Sequence, residues 1–292
     1  MIEARQLNFG GLEHALVRCV RRVEKNMNFG VTSDFSRVAS RYDATREVPE
    51  MHLAACYERL VRQGLLPTKG VVLDAGCGTG QISLVLAKMG YEVHGIDVSA
   101  EMVAIAQGKC RPEWQAHYRV GDIRSLPEID SSFNAVVVSK VFQHVHNWQA
   151  ACQELLRVLM PGGSIFHLNE MNAFGNCVRK YFAGCADSLG FTERFVGLRE
   201  RAQLSDFLVA RGCEKISIDV TDLKWEKRIT YGEALSQLQE RLFAEFWYLP
   251  TDAYERILSD TALWVDEQPE GRNEVEVMTP YLSAEVFRKP RV

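Results

Sequence analysis

The 292 residues contain no C-x-x-C pair, no internal repeat, no low-complexity tract and no apolar run long enough to span a bilayer. The first absence carries weight because eight cysteines are present, at positions 19, 56, 77, 110, 152, 177, 185 and 213. Scattered singly, they signal neither a zinc site nor a compact disulfide framework, so reduced thiols in a cytoplasmic protein and no metal are expected. Basic excess is also missing. With 34 basic and 38 acidic residues the net charge is −4, without the positive field of a general nucleic-acid binder. Met1 to Lys25 holds no continuous apolar stretch of signal-peptide type, and no later segment reaches the roughly 18 to 20 uncharged apolar residues of a membrane helix. Neither a nucleic acid nor a membrane is therefore expected as partner. What is there is ordinary: 47% hydrophobic and 25% charged residues, with 21 Gly and 9 Pro, enough for one large domain or two small ones at roughly 100 to 200 residues each.

From Leu12 to Val23 the apolar residues Leu12, Ala15, Leu16, Cys19, Val20 and Val23 recur at helical spacing, with Arg18, Arg21 and Arg22 on other faces. Residues Asn26 to Arg46 read as loop with a short helix, and a further helix spans about Pro49 to Gly64. Strand and helix then alternate, the pattern of a parallel sheet covered on both faces. The expected strands are Gly70–Asp74, Glu92–Ile96, Ala116–Val120, Phe133–Ser139 and Ser164–Leu168. The expected helices are Gln81–Met89, Ala100–Cys110 and Trp148–Leu159, the last stopped at Pro161-Gly162-Gly163. A helix at Arg199–Arg211 leads to a sixth strand at Cys213–Val220. Thr230-Tyr231-Gly232-Glu233 has capping-box spacing and opens a helix predicted to bury Leu235, Leu238, Leu242 and Phe246 before Pro250. A second runs from Asp252 to Val265, and Glu274–Arg288 returns to strand-like alternation. The expected fold is a doubly wound, Rossmann-like α/β sheet of seven mostly parallel strands, with amino-terminal helices and a helical cap inserted before the last strand. As domains this gives a helical lid over 1–50 and a sheet domain over 51–292, with the cap at about 222–270.

The strongest local signal is Val71-Val72-Leu73-Asp74-Ala75-Gly76-Cys77-Gly78-Thr79-Gly80, an apolar strand running into three alternating glycines and then a helix. Such glycines let a backbone turn sharply and approach a ligand without a side-chain clash. The dinucleotide fingerprint is G-x-G-x-x-G, with a pyrophosphate on the helix amino terminus. Here Gln81 stands where the third glycine belongs, and the Asp74 carboxylate opposes a pyrophosphate while suiting an ammonium group. Asp97, closing the second strand in Gly95-Ile96-Asp97-Val98-Ser99, can accept from both hydroxyls of a ribose. Asp122 in Gly121-Asp122-Ile123, at the end of the third, can accept from an adenine amino group. Each acid by itself also suits a turn or a helix cap.

In these pieces, and in Val158-Leu159-Met160-Pro161-Gly162-Gly163 before the fifth strand, the sequence resembles the class I S-adenosylmethionine-dependent methyltransferases, within the small-molecule and quinone-type group. The resemblance covers Phe35 to Val220 well and the remainder in outline. It implies that the loop from Asp74 through Ala75, Gly76, Cys77 and Gly78 to Gly80 wraps the methionine end of the cofactor. It further implies that Asp97 holds the ribose beside Val98 and Met102, that Gly121, Asp122 and Ile123 meet the adenine, and that Ser139-Lys140 adds backbone contacts. Arg41-Tyr42-Asp43-Ala44-Thr45-Arg46 looks like the family's lid segment, in which Tyr42 closes over the cofactor and Arg46 approaches its carboxylate, although a surface role for Arg46 stays open. S-adenosylmethionine is thus the expected cofactor and S-adenosylhomocysteine the product.

Methyl transfer from a sulfonium asks the protein to align a nucleophile, exclude water and remove any acceptor proton. His144, just past the fourth strand, is either a proton acceptor or a pocket wall. His167 and Glu170, near the end of the fifth strand, are further candidates, as is Phe142 for contact with the acceptor. Arg241, Phe243 and Trp247 in the cap are candidate acceptor contacts, the last two as a ligand-facing stripe beside the buried one. The function expected is transfer of a methyl group to O, N or C of a small organic acceptor. Methylation of RNA or protein, and a cofactor-binding module without turnover, are the rival readings.

Overall fold

The computed structural model describes residues 35–46, 48–173 and 175–291. The helix expected at Leu12 to Val23, and with it most of the expected lid over 1–50, lies outside the described residues. The chain enters through a short helix, α1 (Ala39–Thr45), and then α2 (Glu50–Arg62). Five strands follow: β1 (Val71–Ala75), β2 (Glu92–Asp97), β3 (Ala116–Val120), β4 (Phe133–Ser139) and β5 (Leu159–Met171). Because parallel neighbours need crossovers, α3 (Ser83–Lys88), α4 (Ala100–Lys109) and α5 (Trp148–Val158) come between them. Two further helices, α6 (Cys177–Ser188) and α7 (Arg201–Val209), precede β6 (Glu214–Ser217). The sheet order is β3-β2-β1-β4-β5-β9-β6, where β9 (Tyr281–Arg288) runs antiparallel to both its neighbours.

Burial on both faces explains why the central strands are almost wholly apolar. Alternate residues of one strand feed opposite cores. Val72, Val93 and Val137 pack with Leu53, Tyr57 and Leu60 of α2, whereas Leu73, Ile96, Val136 and Val138 pack with Leu155 of α5 and Leu204 and Leu208 of α7. In β5 regular pairing with β4 begins at Ser164, as expected. The preceding Leu159–Gly163 is an irregular lead-in, with Gly162 in the left-handed region at φ 79°.

The cap differs more from expectation. Its core joins Val178 and Phe182 of α6 to residues of α8 (Tyr231–Gln239) and α9 (Thr251–Asp266), so it draws on chain before β6 as well as on 222–270. A second small sheet, β7 (Lys227–Thr230) with β8 (Val275–Met278), closes it. The Thr230 capping box forms: Thr230 Oγ1 accepts from Glu233 N at 3.1 Å, and Thr230 N donates to Glu233 Oε2 at 2.8 Å. Yet α8 does not reach Phe246. Arg241 takes φ 51°, its N–H donating to Leu238 O while Leu242 N donates to Gln237 O, the paired bonds of a Schellman stop with arginine in the glycine position. The stripe of Phe243 and Trp247 expected on a continuing helix therefore does not exist; Phe243 is buried in the cap core. Likewise Glu274–Arg288 is two strands, not one. Pro280 interrupts it, having no N–H for a ladder, and its carbonyl accepts from Trp225 N.

Among the described residues no helix is long and apolar enough to cross a membrane, and no group of three or more His, Cys, Asp or Glu is placed to hold a metal ion.

Two glycines give a contrast for testing this packing. A Cβ on Gly95 of β2 would lie 2.2 Å from the Tyr118 ring, whereas one on Gly108 of α4 would meet nothing within 4 Å. Gly95→Ala should destabilise by about 1–3 kcal/mol through overpacking. Gly108→Ala should stabilise by about 0.5–1 kcal/mol through helix propensity. Urea unfolding of both variants checks the pair, and equal effects would contradict the placement of Tyr118 against β2.

Candidate functional site

The turn after β1 is built by its neighbour. Gly76 N and Cys77 N both donate to Ile96 O, at 2.8 and 3.0 Å, and Gly78 N donates to Asp97 Oδ2 at 2.9 Å. Gly76, at φ 76°, passes so close to Val141 that a Cβ would lie 2.4 Å from its methyl. Gly78, at φ 52°, faces open space. Asp97 Oδ1 also accepts from Ser99 N at 2.9 Å, and the Ser99 hydroxyl caps α4 by accepting from Met102 N at 3.2 Å. Burial pushes the Asp97 carboxyl up, against these backbone N–H bonds.

A cleft opens at this edge of the sheet. Gly76, Gly78, Asp97, Val98, Met102, Gly121, Asp122 and Ile123 line one part of it; Tyr42, Ser139, Lys140 and His144 line the other. The structure thus brings together most of the candidate cofactor residues. It adds Phe35, Val141 and Val145, which sequence reasoning did not single out. Val141 carried a signal, since an apolar side chain directly after the Ser139-Lys140 turn must pack on whatever lies opposite. Asp122 is clasped by Arg124 through Nε and Nη2, which holds its carboxyl below the usual carboxylate range.

Other candidates sit elsewhere. Ala75 is in the sheet core. Cys77 packs among Leu84, Val103 and Tyr118, and a Cβ on Gly80 would come 3.1 Å from Ala106 and Tyr118, so that glycine serves packing. Asp74 lies beneath the loop, 2% exposed, with Oδ2 unpartnered among the described residues; burial raises its pKa to about 7. Phe142 is buried in the sheet core. His167 is buried between Glu285, at 3.2 Å, and Asn169, at 3.3 Å. Arg241 lies over the Tyr254 ring at 4.1 Å, and Trp247 donates from Nε1 to Arg241 O at 2.6 Å.

The lid segment is tied down on both sides. Asp43 accepts from the Thr79 hydroxyl at 2.5 Å and pairs with Lys109 at 2.5 Å, while Ser36 and Ser99 share a hydrogen bond at 2.9 Å. Toward the cap, Arg46 is buried, donating to Thr45 Oγ1 at 2.9 Å and to Leu242 O at 2.7 Å, with its guanidinium 4.8 Å from the Tyr42 ring. His144 stands edge-on between Phe35 at 4.8 Å and Phe195 at 5.3 Å, its Nδ1 shut away without a partner among the described residues. Burial, with Arg46 nearby, lowers its pKa to about 3, which leaves a feeble base in an aromatic wall.

A family described as "Methyltransferase domain" matches residues 73–167, the stretch from β1 into β5. A demethylmenaquinone methyltransferase of Thermus thermophilus is 32% identical over 164 residues, covering 53% of this chain and 74% of the relative. A malonyl-[acyl-carrier protein] O-methyltransferase of Serratia marcescens is 35% identical over 135 residues, covering 46% and 50%. The chain spans about half the length of several of the curated relatives it matches. Among solved structures, the YcgJ protein of Bacillus subtilis superposes with a TM-score of 0.53 at 17% identity, covering 82% of this chain and 99% of that one, a likeness of fold.

The two displaced pKa values act in opposite directions on stability. Asp74 keeps its proton up to about pH 7 when folded, against an ordinary value of 3.8, so its contribution is full below about pH 4 and is lost as the pH rises toward 7. His144 stays neutral down to about 3 against 6.5, so its contribution grows as the pH rises through the same window. Asp74→Asn removes only the first. The unfolding free energy of the wild-type protein relative to Asp74→Asn should therefore fall between pH 4 and 7, by up to about 1.4 kcal/mol per unit. Urea melts across that range check it; a flat difference would mean that the buried carboxyl is ionised throughout.

Proposed function

The chain belongs to the methyltransferase domain family, and from that premise we propose that it transfers a methyl group from S-adenosylmethionine to O, N or C of a small organic acceptor, releasing S-adenosylhomocysteine. The observation that carries this reading is the Asp97 carboxylate on the cleft wall beside Gly78, whose missing Cβ leaves open space. Each oxygen of Asp97 accepts one backbone N–H, and a carboxylate has about four acceptor positions, so two remain for a ribose diol. Val98, Met102 and Ile123 give apolar faces for a purine, with Gly121 and Asp122 beside them. A pyrophosphate is a poor fit beside Asp97, an acid on the cleft wall, with no glycine at 81.

S-adenosylmethionine supplies an electrophilic methyl group, so the protein's part is to bind, orient and keep water out. Phe35, Tyr42, Val141, His144 and Val145 form an apolar wall suited to exclusion of water. With its lowered basicity His144 serves as wall, and a hydroxyl or amine acceptor loses its proton to solvent or ionises before reaction. The lid segment, which brings Phe35 and Tyr42 onto the cleft wall, favours a small acceptor over an RNA. Organisation into a lid ahead of residue 51 and a sheet domain carrying the cap fits this division of labour.

S-adenosylhomocysteine should raise the melting temperature and NAD should not; stabilisation by NAD alone would overturn the reading. Asp97→Ala should weaken S-adenosylhomocysteine binding by about 1.5–3 kcal/mol, the range for hydrogen bonds to a charged group. Titration calorimetry measures it directly, and unchanged affinity in a folded variant would confine Asp97 to holding Gly78 and Ser99.

A further inference from the structure

Two neighbouring residues of α1 face different ways. Tyr42 lines the cleft, while the Asp43 carboxylate meets the glycine turn and the last residue of α4. Asp43 Oδ1 accepts from the Thr79 hydroxyl at 2.5 Å, and Oδ2 pairs with Lys109 Nζ at 2.5 Å. Lys109 Nζ also donates to Thr79 O at 2.9 Å. Three bonds thus close a ring through the lid, the glycine turn and α4, in which the Thr79 hydroxyl and carbonyl are both engaged.

An exposed ion pair by itself contributes little, and Asp43 and Lys109 keep 39% and 33% of their side-chain surface. Thr79 changes that balance. It is 1% exposed, so its hydroxyl has no solvent to turn to in this packing, and a buried hydroxyl without a partner is costly. Thr79 also stands between two glycines with other duties. Gly78 N donates to Asp97 on the cleft wall, and Gly80 packs against Ala106 and Tyr118. The turn is therefore pinned at Asp97 from one side and at Asp43 from the other. Successive side chains leave a helix about 100° apart, so an α1 held by Asp43 presents Tyr42 to the cleft at a fixed angle. Phe35, its ring 6.1 Å from that of Tyr42, completes this part of the wall. Ser36 shares a hydrogen bond at 2.9 Å with Ser99, the cap of α4, so the lid is tied to both ends of that helix.

We propose that Asp43 is a positioning residue for methyl transfer: through Thr79 and Lys109 it locks Tyr42 and the glycine turn into one unit, so that bound cofactor or product leaves only as these bonds break. This rests on the methyl-transfer reading. The two halves of the lock respond differently to their surroundings, because salt screens the half-exposed pair with Lys109 and leaves the buried Thr79 bond alone.

The test follows release of radiolabelled S-adenosylhomocysteine from the full chain after an excess of the unlabelled compound is added. Asp43→Ala and Thr79→Val should each release it about tenfold faster, the effect of losing one hydrogen bond to a charged group. Thr79→Ser, which keeps the hydroxyl, should stay near the wild-type rate. Both substitutions remove the same bond, so the double variant should match the faster single one, where independent effects would multiply to about a hundredfold. Added sodium chloride should speed release from the wild-type protein more than from Lys109→Met. Melting temperatures without ligand verify folding; should Thr79→Val not fold, Asp43→Ala and the salt dependence still decide. An Asp43 that only stabilises the fold would lower the melting temperature and leave the release rate unchanged. If S-adenosylhomocysteine binds but Asp43→Ala and Thr79→Val release it at the wild-type rate, or their effects multiply, the proposal fails while the methyl-transfer reading stands. If it does not bind the wild-type protein, both fall.

Discussion

The bonds from the start of the β1 turn to the end of β2 govern the rest of this molecule. Ile96 O takes two consecutive N–H groups, and the Asp97 carboxylate takes a third while also holding Ser99. A loop of alternating glycines has high conformational entropy when free, and fixing it costs roughly 1–2 kcal/mol per residue. Three hydrogen bonds from one neighbouring strand end offset that cost and set the loop, α4 and the cleft floor in one frame. The same carboxylate therefore shapes the cleft and faces into it.

Around that frame the strand order β3-β2-β1-β4-β5 puts Asp97 and Asp122, at the ends of β2 and β3, on one side of the glycine turn, and the Lys140–Glu170 ion pair, after β4 and on β5, on the other. The lid segment then links the halves: Asp43 binds Thr79 and Lys109, while Arg46 reaches Leu242 in the cap. Because Arg46 and Lys227 both bond Thr45, the carboxyl end of α1 is shared between the lid and β7 of the cap. Any movement that opens the lid must break these bonds along with the Arg41 to Glu240 contact.

The cofactor half of the site was readable because its signals are local. Gly76, Gly78, Asp97, Gly121 and Asp122 each stand at a strand end, and strand ends follow from the alternation of apolar strand and amphipathic helix. Gly80 and Cys77 share the motif but not the cleft, since the sequence pattern cannot distinguish a glycine needed for a ligand from one needed for Tyr118. The cap was read less well. A left-handed arginine ended α8 where glycine would have announced the stop, and Pro280 split a strand that alternation alone made continuous.

By itself the sequence determined the wound sheet, the glycine turn, the acids at the ends of β2 and β3 and the capping box at Thr230, all features encoded within a few residues by periodicity, backbone conformation or hydrogen-bond spacing. Only the tertiary structure decided that Arg46, Lys140, Glu170, Arg179 and Lys227 share one buried cluster, that His144 is walled in by Phe35 and Phe195, and that Asp74 lies under the loop. The physical reason is separation along the chain. Arg46 and Leu242 are 196 positions apart, and nothing in either neighbourhood records the other; their meeting is set by strand order and by the packing of the cap, which are properties of the whole fold.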